Sequence, residues 1–358
     1  MARGAARRSP GGRGRRRSSR SSREHSWAEL PTEELLDLRL CDLRLRIEGT
    51  PLEDRVADLY AELERAGLRF RPHVWLSTDW FSPEGVPGLA IPFYLAHPRL
   101  ARLERQQMLE VEGGNRGWCI QLLRHETGHA IDHAYRLHRR ASWREHFGRA
   151  SAPYRPSYVP DPQSRRYVIN LPGFYAQSHP FEDFAETFAV WLRPGARWRT
   201  RYAGWPALRK LHYVDSLMAE VADRPPAVRS RERTDALPTL RMTLREYYRR
   251  KHAHYGEEHH AIYDRDLLRL FSDDPAHARR KPAAAFLRER RTELVRLVAE
   301  WTGNHRFVVD DVLGGMIHRA RALRLRLAHP ERDTARGAIV VLTVHAARMR
   351  RRGREYYR

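Results

Sequence analysis

His125-Glu126-Thr127-Gly128-His129 constrains this chain more than any other stretch. It has the form HExxH, a spacing that makes chemical sense on a helix. On an α-helix, residues i and i+4 stand one above the other on the same face. Two imidazoles so placed can close on one zinc ion, and the intervening Glu reaches the water that such an ion activates. Glu126 is therefore the candidate general base for attack on a carbonyl. The flanks agree. Leu122, Leu123, Ala130, Ile131 and Ala134 recur at helical spacing and predict a buried apolar stripe. Gly113-Gly114-Asn115 supplies a start signal. The plain alternative is a core helix that happens to carry two His.

A catalytic zinc takes three protein ligands and leaves one position open. The continuation HExxHxxGxxH would supply a third His, but Asp132 stands at its Gly and Tyr135 at its last His. His133 lies ~12 Å of helical rise from His125, too far for one ion to join all three. A better source is Pro180-Phe181-Glu182-Asp183-Phe184-Ala185-Glu186-Thr187-Phe188-Ala189-Val190-Trp191-Leu192. It reads as an amphipathic helix with Phe184, Phe188, Trp191 and Leu192 on one broad face and Glu182 and Glu186 on another. Two acids in the first turns complement a helix dipole without any metal. A carboxylate pair at i,i+4 beside an ion explains more. Asp183 stays open as a rival ligand.

HETGHAID followed by EDFAETF resembles the gluzincin metallopeptidases, particularly the branch typified by the anthrax toxin lethal factor protease. The close likeness runs from about residue 115 to 192; the rest is more loosely similar to bacterial zinc-binding metallopeptidases. The resemblance implies Glu182 as the third ligand of one catalytic zinc ion, beside His125 and His129. It implies Glu186 as the group that orients a ligand His. It also implies a Tyr seven residues before the ligand Glu, here Tyr175, as donor to the developing oxyanion.

At 358 residues the chain can bury a sizeable core and divide into two domains. With no long apolar run, no apolar leader and only Cys41 and Cys119, it reads as a soluble, cytoplasmic protein without a disulfide framework. Cys119, six residues before His125, reads as a small core residue. The net charge is +22, carried almost wholly by Arg: only Lys210, Lys251 and Lys281 are Lys. Nine Arg and no acid lie in residues 1–23. That Gly-, Ser- and Arg-rich tail, taken as 1–26, is expected to be disordered. Its partner is nucleic acid or another polyanion, or it serves solubility alone.

Along the folded part, the alternation from Leu35 to Ile47 leans to a strand near Leu43–Ile47. Pro51 opens a helix that Gly67 closes. Residues 69–76 predict a strand, 81–88 a turn, and 89–94 a second strand that Pro92 places at an edge. An exposed edge there would accept an extended substrate by strand addition. Residues 151–180, rich in Pro and Tyr, are expected to roof the cleft. Residues 223–239 look like a linker, and helices are expected over 282–301, 310–327 and 334–349. His252, His254, His259 and His260 cluster near Glu257 and Glu258, and read as a solvated turn more readily than as a metal site.

The sequence thus predicts an α+β, zincin-like metallopeptidase domain over 27–222, and a helical C-terminal domain over 240–358. Its substrate would be a protein or peptide, with no membrane partner. The rival is a nucleic-acid-associated binding protein with a structural zinc, or a protease brought to nucleic acid by its tail. A structural site favours four protein ligands and has no use for Glu126.

Overall fold

A computed structural model describes residues 25–154, 158, 161, 163–172, 174–255 and 263–348. The Arg-rich tail lies outside these residues, but His25 and Ser26 belong to the folded part, with the His25 ring stacked on Trp27. The architecture is mostly helical with a small sheet. In chain order the elements are α1 (Thr32–Leu36), α2 (Pro51–Arg65), β1 (His73–Ser77), β2 (Gly88–Pro92), α3 (Pro98–Met108), α4 (Arg116–Tyr135) and α5 (Ala141–Phe147). Then come α6 (Pro180–Leu192), α7 (Trp198–Arg201), α8 (Ala207–Val221) and α9 (Leu244–Tyr255). The last part holds α10 (Asp264–Leu270), β3 (Phe271–Ser272), α11 (Ala283–Glu289), α12 (Arg291–Thr302), α13 (Arg306–Ala322), β4 (Arg326–Leu327) and α14 (Glu331–Arg348). Among the described residues, no helix is long and apolar enough to cross a membrane.

The central element is α4. Asn115 caps it by accepting the amide of Trp118, and Arg136 ends it in the left-handed region at φ 52°. From Leu122 to Ala134 it is buried nearly all round, because α2, β2 and α6 pack on different faces of it. The contact with α6 depends on Gly128. A Cβ there would stand 2.7 Å from Ala185 Cα, a backbone atom that cannot swing aside. A glycine inside a helix costs about 1 kcal/mol relative to Ala; here it buys the approach of two helices. On the α2 side, Arg124 and Glu62 form a buried bidentate ion pair, both bonds 2.6 Å.

β1 and β2 pair in parallel, from His73 opposite Gly88 to Ser77 opposite Pro92. The expected open edge is not there. β2 is buried along its whole length, and the Ala90 amide donates to the Phe81 carbonyl across its far side. One face of β1 is covered as well. His73, Trp75 and Ser77 side chains hold the carbonyls of Glu232, Thr234 and Asp235. Residues 43–47 also differ from the strand expected. Leu40–Leu43 form a 3-10 turn with both Leu buried, and Arg44 turns left-handed at φ 49°. The alternation there marks a turn that buries i and i+3.

Two clusters of buried apolar side chains divide the chain. The first runs from Trp27 to Tyr248 and includes Leu237, Leu240, Leu244 and Tyr247. The segment expected as a linker therefore lies along β1, and α9 belongs with the first core. The second cluster runs from Tyr263 to Ala346 and is built from α10 to α14. The helix expected over 282–301 is two helices parted at Arg290, both packed on α13. Of the His and Glu cluster, residues 256–262 lie outside those described. His252 donates to the Gln107 carbonyl and stacks on Phe307, tying the two cores together.

Candidate metal centre

The site forms where α4 and α6 cross at Gly128. His125 and His129 stand one turn apart on α4, and Glu182 reaches them from the first turn of α6. His125 Nε2 lies 3.1 Å from Glu182 Oε2. His129 Nε2 lies 3.2 Å from both His125 Nε2 and Glu182 Oε2. Three donor atoms at nearly equal spacing fit one ion: bonds of about 2.0–2.1 Å in a tetrahedral set place ligand atoms about 3.3 Å apart. Two imidazoles and a carboxylate are a donor set that zinc accepts.

Glu186, one turn on from Glu182, is wholly buried and bonded on both oxygens. Its Oε1 accepts from Asn170 Nδ2 at 2.7 Å and lies 2.8 Å from His125 Nδ1; its Oε2 accepts the Leu171 amide at 2.7 Å. A proton on Nδ1 leaves the Nε2 lone pair of His125 facing its neighbours. Burial favours the neutral ring, but Glu182 and Glu186 outweigh it and raise the His125 pKa to about 10 in the metal-free protein. Burial likewise opposes ionisation of Glu182, yet His129 and His125 hold its carboxyl well below the usual range.

Asp183 faces the other way. Its Oδ2 takes Lys210 Nζ at 2.5 Å, on the side of α8. Burial pushes its pKa up to about 7 although Lys210 opposes this. Within the acidic pair, the group beside the two His is Glu182.

The cluster opens into a cleft of about 570 Å³ that Glu126, Tyr175 and Glu182 line. Glu126 is 3% exposed and lies on α4 between the two His. Tyr175 begins a 3-10 turn ahead of α6, and its ring centroid lies 5.6 Å from that of His125. Two features escaped the sequence reading. Tyr154 donates from its hydroxyl to Glu182 Oε1 at 3.1 Å, while stacking on His179 at 3.7 Å. His179 caps α6 by accepting the Phe181 amide, and its other nitrogen bonds the Ala152 carbonyl. A Tyr among many in a loop carries no spacing signal, so only the fold reveals it. The 150–154 stretch does wall the cleft, as expected of the Pro- and Tyr-rich segment.

Residues 102–204 match the model of a family described as "Putative zinc-binding metallo-peptidase". The match spans under a third of the chain, from α3 to just past α7, and contains every residue of the cluster. No curated protein and no solved structure matches the chain. The matched segment is thus similar to a zinc-binding metallopeptidase, and this similarity supports both the metal and a hydrolase.

Proposed function

We propose that the protein is a zinc-dependent peptidase of gluzincin type, hydrolysing peptide bonds with Glu126 as general base. The observation that carries this reading is the triangle of His125, His129 and Glu182, with Glu126 beside it at the wall of an open cleft. Zinc, when bound, supplies the Lewis acidity that makes water a nucleophile at neutral pH. The protein's own groups do the rest. Glu126 takes the proton of the attacking water and passes it to the departing amine. Glu186 keeps the His125 ring in one tautomer and orientation. Tyr175 donates to the carbonyl oxygen as it gains charge. Tyr154, through the non-bridging oxygen of Glu182, fixes that carboxylate.

A structural zinc is a poorer reading. Among the described residues the cluster has three ligands, and its fourth side faces a cleft. Among the described residues the cleft lining includes Glu84, Glu126 and Glu182 and no Lys or Arg, in a chain of 66 basic residues. An unmodified peptide suits such walls better than a polyanion.

The test is cleavage of a peptide library by wild type and Glu126→Gln, each assayed for zinc. The reading expects zinc in both and cleavage only by wild type. Equal cleavage by Glu126→Gln would sink the general-base assignment.

A further inference from the structure

A second group of metal-ligating side chains stands at the C-terminal end of α4. Asp132, His133 and His138 each offer a ligand atom, and these atoms all lie within 4.8 Å of one another. The local chain explains the convergence. Asp132 and His133 close the last turn of α4, Arg136 takes the left-handed conformation, and the 3-10 turn Leu137–Arg139 folds His138 back. His138 Nδ1 reaches Asp132 Oδ2 at 2.5 Å. That one contact does not settle the group. Asp132 Oδ1 and His133 Nδ1 are both buried without a hydrogen-bond partner, with Asp132 at 0% and His133 at 6% exposure. A buried carboxylate oxygen and a buried imidazole nitrogen left unpaired give up the hydrogen bonds that water would supply, so such atoms call for an occupant.

The surroundings favour a cation. Phe181 packs on both imidazoles, with ring centroids 6.1 Å from His133 and 5.4 Å from His138, and Trp143 backs Phe181 at 5.7 Å. The two imidazoles lie 6.1 Å apart at 70°, so their edges meet one small volume. His133 also lines the cleft, which gives an ion a way in. We infer that Asp132, His133 and His138 form a second cation site, for a zinc-class transition metal, in the wall of the same cleft. Two imidazoles and one carboxylate select zinc, cobalt or nickel over calcium and magnesium, which take oxygen ligands. The bland reading, a His–Asp clasp at a helix end, accounts for Asp132 Oδ2 and leaves the other two atoms unexplained.

The site does not depend on the proposed catalytic zinc, and one titration separates them. The full chain, stripped by chelator and equilibrated with Co2+, is compared with His138→Ala and with the double variant His125→Ala/His129→Ala. Bound cobalt is read as the difference from wild type, so weak ions on other His cancel. The inference expects each variant to lose one equivalent and to keep the other. A wild type with one ion, lost in His138→Ala and kept in the double variant, would support this site and sink the proposed function. Equal cobalt in wild type and His138→Ala would overturn the inference. So would a double variant that binds none. Circular dichroism checks folding, and His133→Gln, expected to lose the same equivalent, serves if His138→Ala does not fold.

Discussion

The two cores of this chain differ in what they bury. The first encloses Arg124, His125, Glu126, Asp132, His133, Glu182, Asp183, Glu186, Glu104 and Lys251 among its apolar side chains. Among the described residues of the second, the buried polar groups are Thr334 and His345. Thr334 bonds the Pro330 carbonyl, and His345 meets Asp266 at 3.0 Å. Charged groups are costly to desolvate and persist inside only when paired or used. The contrast agrees with the proposed chemistry in the first core and leaves the described residues of the second an ordinary apolar bundle of helices.

The largest test of that division is on turnover. Glu126→Gln should lower kcat about 10²- to 10⁴-fold while zinc content holds, the usual reach of general base catalysis. Charge removal in the second core, as in Asp264→Ala, should leave kcat unchanged. A comparable loss from Asp264→Ala in steady-state assays would erase the contrast.

Stability should divide the same way. The Arg124–Glu62 pair is 10% and 7% exposed, whereas Arg319–Asp264 is 26% on both sides. Glu62→Ala should cost about 3–5 kcal/mol, because it strands a buried guanidinium. Asp264→Ala should cost at most about 1 kcal/mol. Urea unfolding of both variants decides; similar costs would mean that burial does not set the value of these pairs.

Smaller effects should appear around the metal. Glu186→Ala should weaken zinc about 10- to 100-fold, since His125 loses the group that orients it. Asp183→Ala should spare zinc affinity and lower stability, because Asp183 faces Lys210. Competition with a chromophoric chelator reads both; a larger zinc loss from Asp183→Ala would reverse the assignment within the acidic pair.

pH provides the mildest test. In the metal-free protein His125 has a pKa near 10, against an ordinary value of 6.5. A raised folded pKa adds stability that is complete below 6.5 and is lost as pH rises through about 10. Zinc must expel that proton, so its apparent affinity should fall about tenfold per unit on acidification. Melting of the metal-free protein should decline from neutral to alkaline pH, and zinc should flatten the decline. A metal-free melting curve independent of pH in that range would contradict it.

Local signals were legible in the chain and distant ones were not. Asn115 before an apolar stripe and Pro180 before EDFAETF mark helix starts, and both helices begin there. The i,i+4 spacings then place His125 with His129 and Glu182 with Glu186, because a helix fixes those neighbours. That the two pairs meet depends on Gly128 opposite Ala185, a tertiary contact invisible in the spacing. The covered edge of β2 and the covered face of β1 follow from Phe81 and residues 232–235, brought from elsewhere in the chain. Tyr154 and His138 escaped for the same reason. Their partners, Glu182 and Asp132, are reached through a loop and a left-handed turn whose paths no periodicity encodes.

The central claim is that His125, His129 and Glu182 hold one zinc ion. Anomalous scattering at the zinc edge, from crystals of the full chain grown with zinc, tests it most directly. A peak about 2.0–2.2 Å from His125 Nε2, His129 Nε2 and a Glu182 carboxylate oxygen is the predicted result. No peak between these three side chains, with His125 and Glu182 still in direct contact at 3.1 Å, would contradict it.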